Sequence, residues 1–195
     1  MNHHPLLSFV FSIPTSIILG LKLDAGIYPS ILKAFSDAFL LAAIPEELAK
    51  FIMLWLLLRK NPFFDEKFDG IVYAVCIGMG FAGFENVLYL IGGLKDGSWI
   101  GIGIVRALFS IPGHFFFAIL MGYYYSRYRF EIDRSMKAKA MVLVAPILAH
   151  GLFDGILMSL NVYEGLAAVG QLVFLFFLNN LRKRGKERID KMINQ

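Results

Sequence analysis

Residues 34–58 read AFSDAFLLAAIPEELAKFIMLWLLL, an apolar run that is interrupted at its centre by Glu46, Glu47 and, within one helical turn, Lys50. A run of this length is enough for a helix that crosses a bilayer. A charged side chain at the centre of a bilayer costs about 2.5–3.5 kcal/mol on insertion scales, so two adjacent carboxylates there need a reason. We expect them to face a polar site enclosed by helices, where they meet water or a substrate.

The composition predicts that the rest of the chain is embedded in a membrane as well. Of its 195 residues, 57% are hydrophobic and 17% are charged, and the mean hydropathy is +0.63. Soluble domains carry about 25% charged residues and about 45–50% apolar ones. Because the apolar residues cluster in runs of about 20, the pattern is typical of a polytopic helical membrane protein.

Six apolar segments predict six transmembrane helices joined by short loops, and hence an all-α membrane bundle. The segments lie at about residues 6–21, 34–58, 70–91, 100–125, 138–160 and 163–181. We interpret the chain as a single integral-membrane domain, because its length allows one helical bundle. The core motifs occupy about residues 34–160, and a basic tail covers 182–195.

The distribution of lysine and arginine predicts the orientation of the bundle. The second loop, the fourth loop and the tail together carry 14 of the 19 basic residues, and the opposite side carries three. By the positive-inside rule, both termini are then cytoplasmic. We interpret the basic tail as a topology signal that also meets anionic lipid, rather than as a nucleic-acid-binding segment.

Eight ionisable side chains fall inside the predicted spans. If all of them faced lipid, the summed cost would be about 15–20 kcal/mol, more than the stability of a typical protein. We therefore predict that most of them line one cavity between the membrane centre and the outer leaflet. They are Glu46, Glu47, Lys50, Glu85, Arg106, His114, His150 and Asp154.

The paired glutamates are expected to have different roles, because adjacent helical positions point about 100° apart. One should face the cavity, and the other should pair with a cation such as Lys50. Lys50 follows Glu46 by four residues and Glu47 by three, so the spacing leaves open which glutamate pairs with it. Pro45 removes a backbone donor just before them, which predicts a bend.

The remaining charged residues have structural interpretations beside the functional ones. Arg106 is expected to be a counter-charge to Glu85 or Asp154, and Asn86 to form a hydrogen bond between helices. His150 and Asp154 are four residues apart on one helical face, so Asp154 can orient the imidazole or share a ligand with it.

This set of residues fits the hydrolysis of an amide inside the membrane. Peptide cleavage needs an activated water, a group that stabilises the oxyanion and an acid for the leaving amine. Glu46 or Glu47 is the candidate base. His114 and His150 are candidate donors to the oxyanion, and Asp154 would set the tautomer of His150. Together with Glu85, these residues form a predicted catalytic set of six.

A zinc site is the alternative for the same residues, although we expect no resident cofactor. His114, His150, Asp154 and a glutamate such as Glu85 would supply nitrogen and oxygen ligands and leave an open position for water.

Other functional classes fit the sequence less well. No G-x-S-x-G motif is present, and Cys76 has no adjacent base, so serine and cysteine proteolysis are not expected. A proton- or cation-coupled carrier, a membrane scaffold and a lipid-directed enzyme stay open, although the internal repeats that are common in carriers are not apparent.

Four segments resemble motifs of the PrsW family of membrane proteases, and they occur in that family's order. EELAK at 46–50 resembles E-E-x-x-K, and FENVLY at 84–89 resembles F-E-x-x-x-[YW]. RALFSIPGHFFFAILMG at 106–122 is similar to the third motif, and HGLFD at 150–154 is similar to H-x-x-x-D. More distantly, the chain resembles the CAAX prenyl endopeptidases and the bacteriocin-protection proteins.

The resemblance implies an intramembrane protease of a prokaryotic cell membrane. We expect it to be of the glutamic type, and the chemistry of the family has been assigned both to glutamate and to a metal. The resemblance also implies a single-span membrane protein as substrate, including site-1 cleavage of an anti-sigma factor in regulated proteolysis. The role of the first glutamate in the CAAX endopeptidase motif favours Glu46 as the base. This chain has Glu85 where those distant relatives place a histidine, so their mechanism does not transfer directly.

Overall fold

The structure of the protein is a computed structural model that describes residues 30–130 and 135–160, together with helical positions 176, 179–180, 183, 186–187 and 190. Within these residues all the regular secondary structure is helical, as predicted, and none of it is strand. The predicted span at 6–21 lies outside the described residues, as does the span at 163–181 apart from isolated positions.

Two helical runs in the described part change from α to π geometry and back. The first run comprises α1, a π segment and α2, and the later run comprises α4, a second π segment and α5. The elements are α1 Ser30–Asp37, the first π segment Ala38–Ala43, α2 Ile44–Leu58, α3 Asp69–Gly93, α4 Trp99–Val105, the second π segment Arg106–Ser110, α5 Ile111–Phe130 and α6 Met136–Leu160. The four central predicted spans therefore correspond to helices whose observed ends differ by up to about five residues.

Three of the described helices are long and apolar enough to cross a membrane. They are Asp69–Gly93, Trp99–Phe130 and Met136–Ser159. The helical run at 30–58 is not among them, and it carries Glu46, Glu47 and Lys50 near its centre. The number of six spans and the cytoplasmic location of both termini stay predictions.

Both π segments end two residues before a proline. The amide of Ile44 donates to the carbonyl of Phe39, and the amide of Ile111 donates to that of Arg106, each across five residues. Because proline has no N–H and its ring crowds the preceding turn, a wider turn accommodates it. Pro45 and Pro112 each stand two residues before a site residue, so these turns influence where Glu47 and His114 point. A bend was expected at Pro45; the structure shows a π turn.

Helices α3 and α5 approach each other closely through small residues. A Cβ on Gly122 would meet the carbonyl of Gly70 and lie 2.6 Å from the Cα of Ile71. Farther along, a Cβ on Gly78 would lie 2.7 Å from the Cβ of Ala118. Small residues permit this kind of contact between membrane helices. The close approach brings the C-terminal half of α3, which carries Glu85, against the start of α5, which carries His114.

Helix α6 packs on α5 and on the run that leads into α2. Gly155 and Gly151 leave room for Phe35 and Phe39: a Cβ there would lie 2.6 Å from Cε1 of Phe35 or from Cζ of Phe39. These aromatic residues are four apart, as are the glycines, so the two helices fit in one register. That register sets the position of α6 relative to the paired glutamates.

We predict that Gly122→Ala lowers the free energy of unfolding in detergent by about 1–3 kcal/mol, the usual cost of overpacking. The added methyl group would meet backbone atoms of α3, which cannot move aside without moving the helix. Gly80→Ala is the matched control, because a Cβ on Gly80 meets nothing within 4 Å. Equal stability of the two variants would contradict the close crossing of α3 and α5.

Candidate active site

A cavity of about 240 Å³ lies among α2, α3, α5, α6 and the second π segment. Five of the six residues predicted to be catalytic line it, and so do Arg106, Tyr89 and several apolar side chains. The lining residues are Ala42, Glu46, Glu85, Tyr89, Val105, Arg106, Phe109, Ser110, His114, Phe117, His150, Phe153, Asp154, Leu157 and Met158. Residues from four separate stretches of sequence thus meet at one place.

Glu47 is the glutamate that pairs with Lys50. It is fully buried, and its Oε1 accepts a hydrogen bond of 2.7 Å from the Nζ of Lys50. The same oxygen lies 2.9 Å from Nδ1 of His150. Glu47 therefore joins α2 to α6 from behind the cavity, and the question that the sequence spacing left open is answered by the fold.

Glu46 faces the cavity and is much less constrained. Its nearest basic atoms are Nζ of Lys50, at 3.6 Å, and Nε2 of His150, at 3.9 Å. Its Oε2 is buried and has no hydrogen-bond partner among the described residues. A buried carboxylate oxygen without a donor is costly, so this oxygen is well suited to bind a proton, a water molecule or a cation.

Carboxylates lie next to both nitrogens of His150. Nδ1 faces Glu47, and Nε2 lies 3.2 Å from Oδ2 of Asp154. The ring is stacked on Phe117, with centroids 4.7 Å apart and an interplanar angle of 16°. These contacts hold the imidazole in one orientation, and Asp154 contacts it as its spacing on α6 predicted.

His114 lies between a cation and an anion. Nδ1 is 3.0 Å from Nζ of Lys50, and Nε2 is 3.0 Å from Oε2 of Glu85. An ammonium group can only donate a hydrogen bond, so Nδ1 of His114 is the acceptor. The ring proton is then on Nε2, and this N–H donates a hydrogen bond to Glu85. The ring centroids of His114 and His150 are 5.3 Å apart, which places both imidazoles beside the same cavity.

Arg106 is the counter-charge of Glu85 and not of Asp154. Its Nη2 donates to Oε2 of Glu85 at 2.7 Å and to Oγ of Ser110 at 3.0 Å, and its Nε donates to Oδ1 of Asn86 at 2.5 Å. The guanidinium carbon lies 3.9 Å from the ring centroid of Tyr89, a cation–π contact. Asn86 was expected to form a hydrogen bond between helices, and its hydrogen bond with Arg106 joins α3 to the second π segment.

Sequence reasoning assigned no role in the site to two aromatic residues. Tyr89 covers Arg106, and Phe117 stacks on His150. The signal for Tyr89 was available, because it follows Glu85 by one helical turn. Phe117 lies in a run of three phenylalanines, and nothing in the sequence distinguishes it from its neighbours.

The polar side chains form one connected chain that begins and ends at the cavity. Each member contacts the next at 2.7–3.2 Å. In order, they are Arg106, Glu85, His114, Lys50, Glu47, His150 and Asp154. Buried charges are tolerated when they are paired in this way.

Three side chains on the cavity wall could hold a metal ion. Glu46, His114 and His150 each offer a ligand atom, and the three atoms lie within 4.8 Å of one another. Two imidazole nitrogens and one carboxylate oxygen are a donor set that suits zinc with an open position, and the unpartnered Oε2 of Glu46 is consistent with a cation there. The set expected from the sequence had Glu85 and Asp154 in place of Glu46. In the structure Glu85 contacts Nε2 of His114, the ring nitrogen away from Lys50, as the outer carboxylates of metal sites do. Asp154 lies instead 3.2 Å from Nε2 of His150, the nitrogen that faces the cavity.

Comparison with known proteins identifies the class. The chain matches the family model described as PrsW family intramembrane metalloprotease over residues 6–180. It is 36% identical to the Protease PrsW of Clostridioides difficile over 155 residues, which are 78% of this chain and 65% of that protein. It is 36% identical to the Protease PrsW of Bacillus subtilis over 164 residues, 82% of this chain and 71% of that protein. No solved structure matches the chain.

The chain that forms this all-helical structure, with buried carboxylates and histidines at one cavity, is thus similar in sequence to a class of proteins described as intramembrane metalloproteases. This chain belongs to the PrsW family. The resemblance that the four motifs indicated is confirmed. The match spans slightly less than two thirds of the Clostridioides difficile relative.

We predict that Glu47→Gln lowers the free energy of unfolding by about 3–5 kcal/mol, because the charge of Lys50 is left buried without its partner. Glu46→Gln is the matched control and should change stability little, since Oε2 of Glu46 has no hydrogen-bond partner among the described residues and lies 3.6 Å from Nζ of Lys50. Denaturant titration of both variants in detergent measures the difference. A larger loss for Glu46→Gln would reverse the assignment of the two glutamates.

Proposed function

We propose that this chain is an intramembrane endopeptidase that cleaves membrane-anchored proteins at the cavity described above. The observation that carries the proposal is the position of Glu46, a buried carboxylate with an unpartnered oxygen beside two histidines on the cavity wall. The name of the relatives, Protease PrsW, supports the same activity.

A single-span membrane protein is the substrate that suits this cavity. Much of the lining is apolar, including Phe109, Phe153 and Leu157, and the rest includes charged and polar side chains. A locally unwound transmembrane segment offers apolar side chains together with unsatisfied backbone groups, which the polar side chains of the cavity can bind. Site-1 cleavage of an anti-sigma factor in a bacterial cell membrane is the form of this reaction that the family resemblance suggests.

We further propose that a divalent cation, zinc by its donor set, binds at Glu46, His114 and His150. When bound, such an ion polarises the scissile carbonyl and makes a water molecule nucleophilic at neutral pH. The residues around the ligands support this arrangement. Glu47 holds Nδ1 of His150 at 2.9 Å, and Glu85 holds Nε2 of His114 at 3.0 Å. Arg106 in turn fixes Glu85.

A metal-free route uses the same residues and is favoured by one contact. Because Nδ1 of His114 accepts from Lys50, the described arrangement leaves no free lone pair on that ring. In this route Glu46 takes a proton from water as the water oxygen attacks the peptide carbonyl carbon. The C–N bond then breaks, and the protonated Glu46 returns the proton to the leaving amine nitrogen.

The test of the peptidase proposal is Glu46→Gln. We expect turnover of a single-span peptide in detergent to fall about 10²–10⁴-fold, because glutamine keeps the shape and cannot accept the proton or ligate a cation as an anion. Glu66→Gln, in the exposed loop between α2 and α3, is the matched control and should keep full turnover. Unimpaired cleavage by Glu46→Gln would remove Glu46 from the mechanism.

Chelation separates the two routes. If the cation is required, dialysis of the purified protein against a strong chelator should abolish cleavage, and adding back zinc should restore it. Metal content measured by mass spectrometry follows the same samples. Full cleavage by protein shown to contain no metal would support the route in which Glu46 alone activates water.

A further inference from the structure

The ammonium group of Lys50 lies in front of Nδ1 of His114, one of the proposed metal ligands. This ammonium group lies 3.0 Å from Nδ1 of His114, 2.7 Å from Oε1 of Glu47 and 3.6 Å from Oε2 of Glu46. The ring of Phe81 closes another side, with its centroid 4.5 Å from Nζ. The side chain is 2% exposed. Lys50 is therefore a cation enclosed by two carboxylates, an imidazole and an aromatic face.

The contact with His114 determines what that imidazole can do. Since the ammonium group has no acceptor, the Nδ1 lone pair of His114 points to Lys50. The other ring nitrogen, Nε2, carries the proton and donates a hydrogen bond to Glu85. A neutral imidazole has a single nitrogen lone pair, so His114 cannot ligate a metal while it is bonded to Lys50. His150 differs, because its Nε2 faces the cavity next to Glu46 and Asp154.

We propose that Lys50 is an internal competitor of the metal ion and sets the metal affinity of the site. The inference rests on the proposed metal site. For His114 to bind the ion through Nδ1, the ammonium group has to leave the imidazole, and it can do so while keeping its bond to Glu47. Its positive charge, a few ångströms from the ligands, opposes the ion as well. Lys50 is thus a positioning residue that acts through His114 and not on the substrate.

Zinc affinity of the purified full chain tests this inference without a cleavage assay. We expect Lys50→Met to bind zinc about 10- to 100-fold more tightly than the unmodified protein, the range in which partners of metal ligands act. The affinity is measured in detergent by competition with a chromogenic zinc chelator. Unchanged or weaker binding would overturn the inference, and so would the absence of zinc binding by every variant.

A charge-balanced pair keeps the test valid if Lys50→Met fails to fold because Glu47 loses its partner. Glu47→Gln/Lys50→Met has the same net charge as the unmodified protein, and glutamine can still accept from Nδ1 of His150. We expect it to bind zinc more tightly than both the unmodified protein and Glu47→Gln alone. A gain in the balanced variant reports the release of the His114 lone pair and not a change in charge.

His114→Gln provides the second control. Without the imidazole, replacing Lys50 by Met should no longer produce the gain seen in the charge-balanced comparison. The same gain in this background would overturn the role assigned to His114. Failure of these zinc measurements is distinguishable from failure of the proposed function, because cleavage by the unmodified protein and its loss in Glu46→Gln are measured separately.

Discussion

The ion pair between Lys50 and Glu47 is the interaction on which the rest of the site depends. Both side chains are buried among apolar helices. An unpaired charge there would lower the stability of the fold. The pair is stabilised because His114 of α5 contacts the ammonium group of Lys50 and His150 of α6 contacts Oε1 of Glu47. Three helices therefore have to meet at this point, and the cavity lies in front of the place where they do.

Backbone geometry brings the site residues to that meeting point. A π turn precedes Pro45 on one run and Pro112 on another, so each proline is accommodated without breaking its helix. Glycines allow neighbouring helices to approach each other closely. Gly122 and Gly78 permit the close contact of α3 with α5, and that contact sets Glu85 against His114. Small residues and prolines thus position the helices so that the charged side chains come within hydrogen-bonding distance of one another.

Membership of the PrsW family gives these contacts a chemical context. The family model is named for metalloproteases, and the structure offers Glu46, His114 and His150 as ligands with further carboxylates behind the imidazoles. Lys50 already satisfies His114 and part of Glu47, so an incoming cation meets a cation that belongs to the protein.

The sequence by itself determined the class of fold, the family, the positions of the four central helices to within a few residues, and which ionisable residues had to converge. Hydropathy and the cost of buried charge carry the information on the fold class, the helices and the convergence, and the four motifs carry the resemblance to the family. The choice of Glu47 over Glu46 as the partner of Lys50 came only from the tertiary structure, because spacings of three and four residues both bring side chains together on a helix. The π turns, the stacking of Phe117 and the nitrogen of His114 that faces Lys50 likewise depend on contacts between distant segments, which local patterns do not encode.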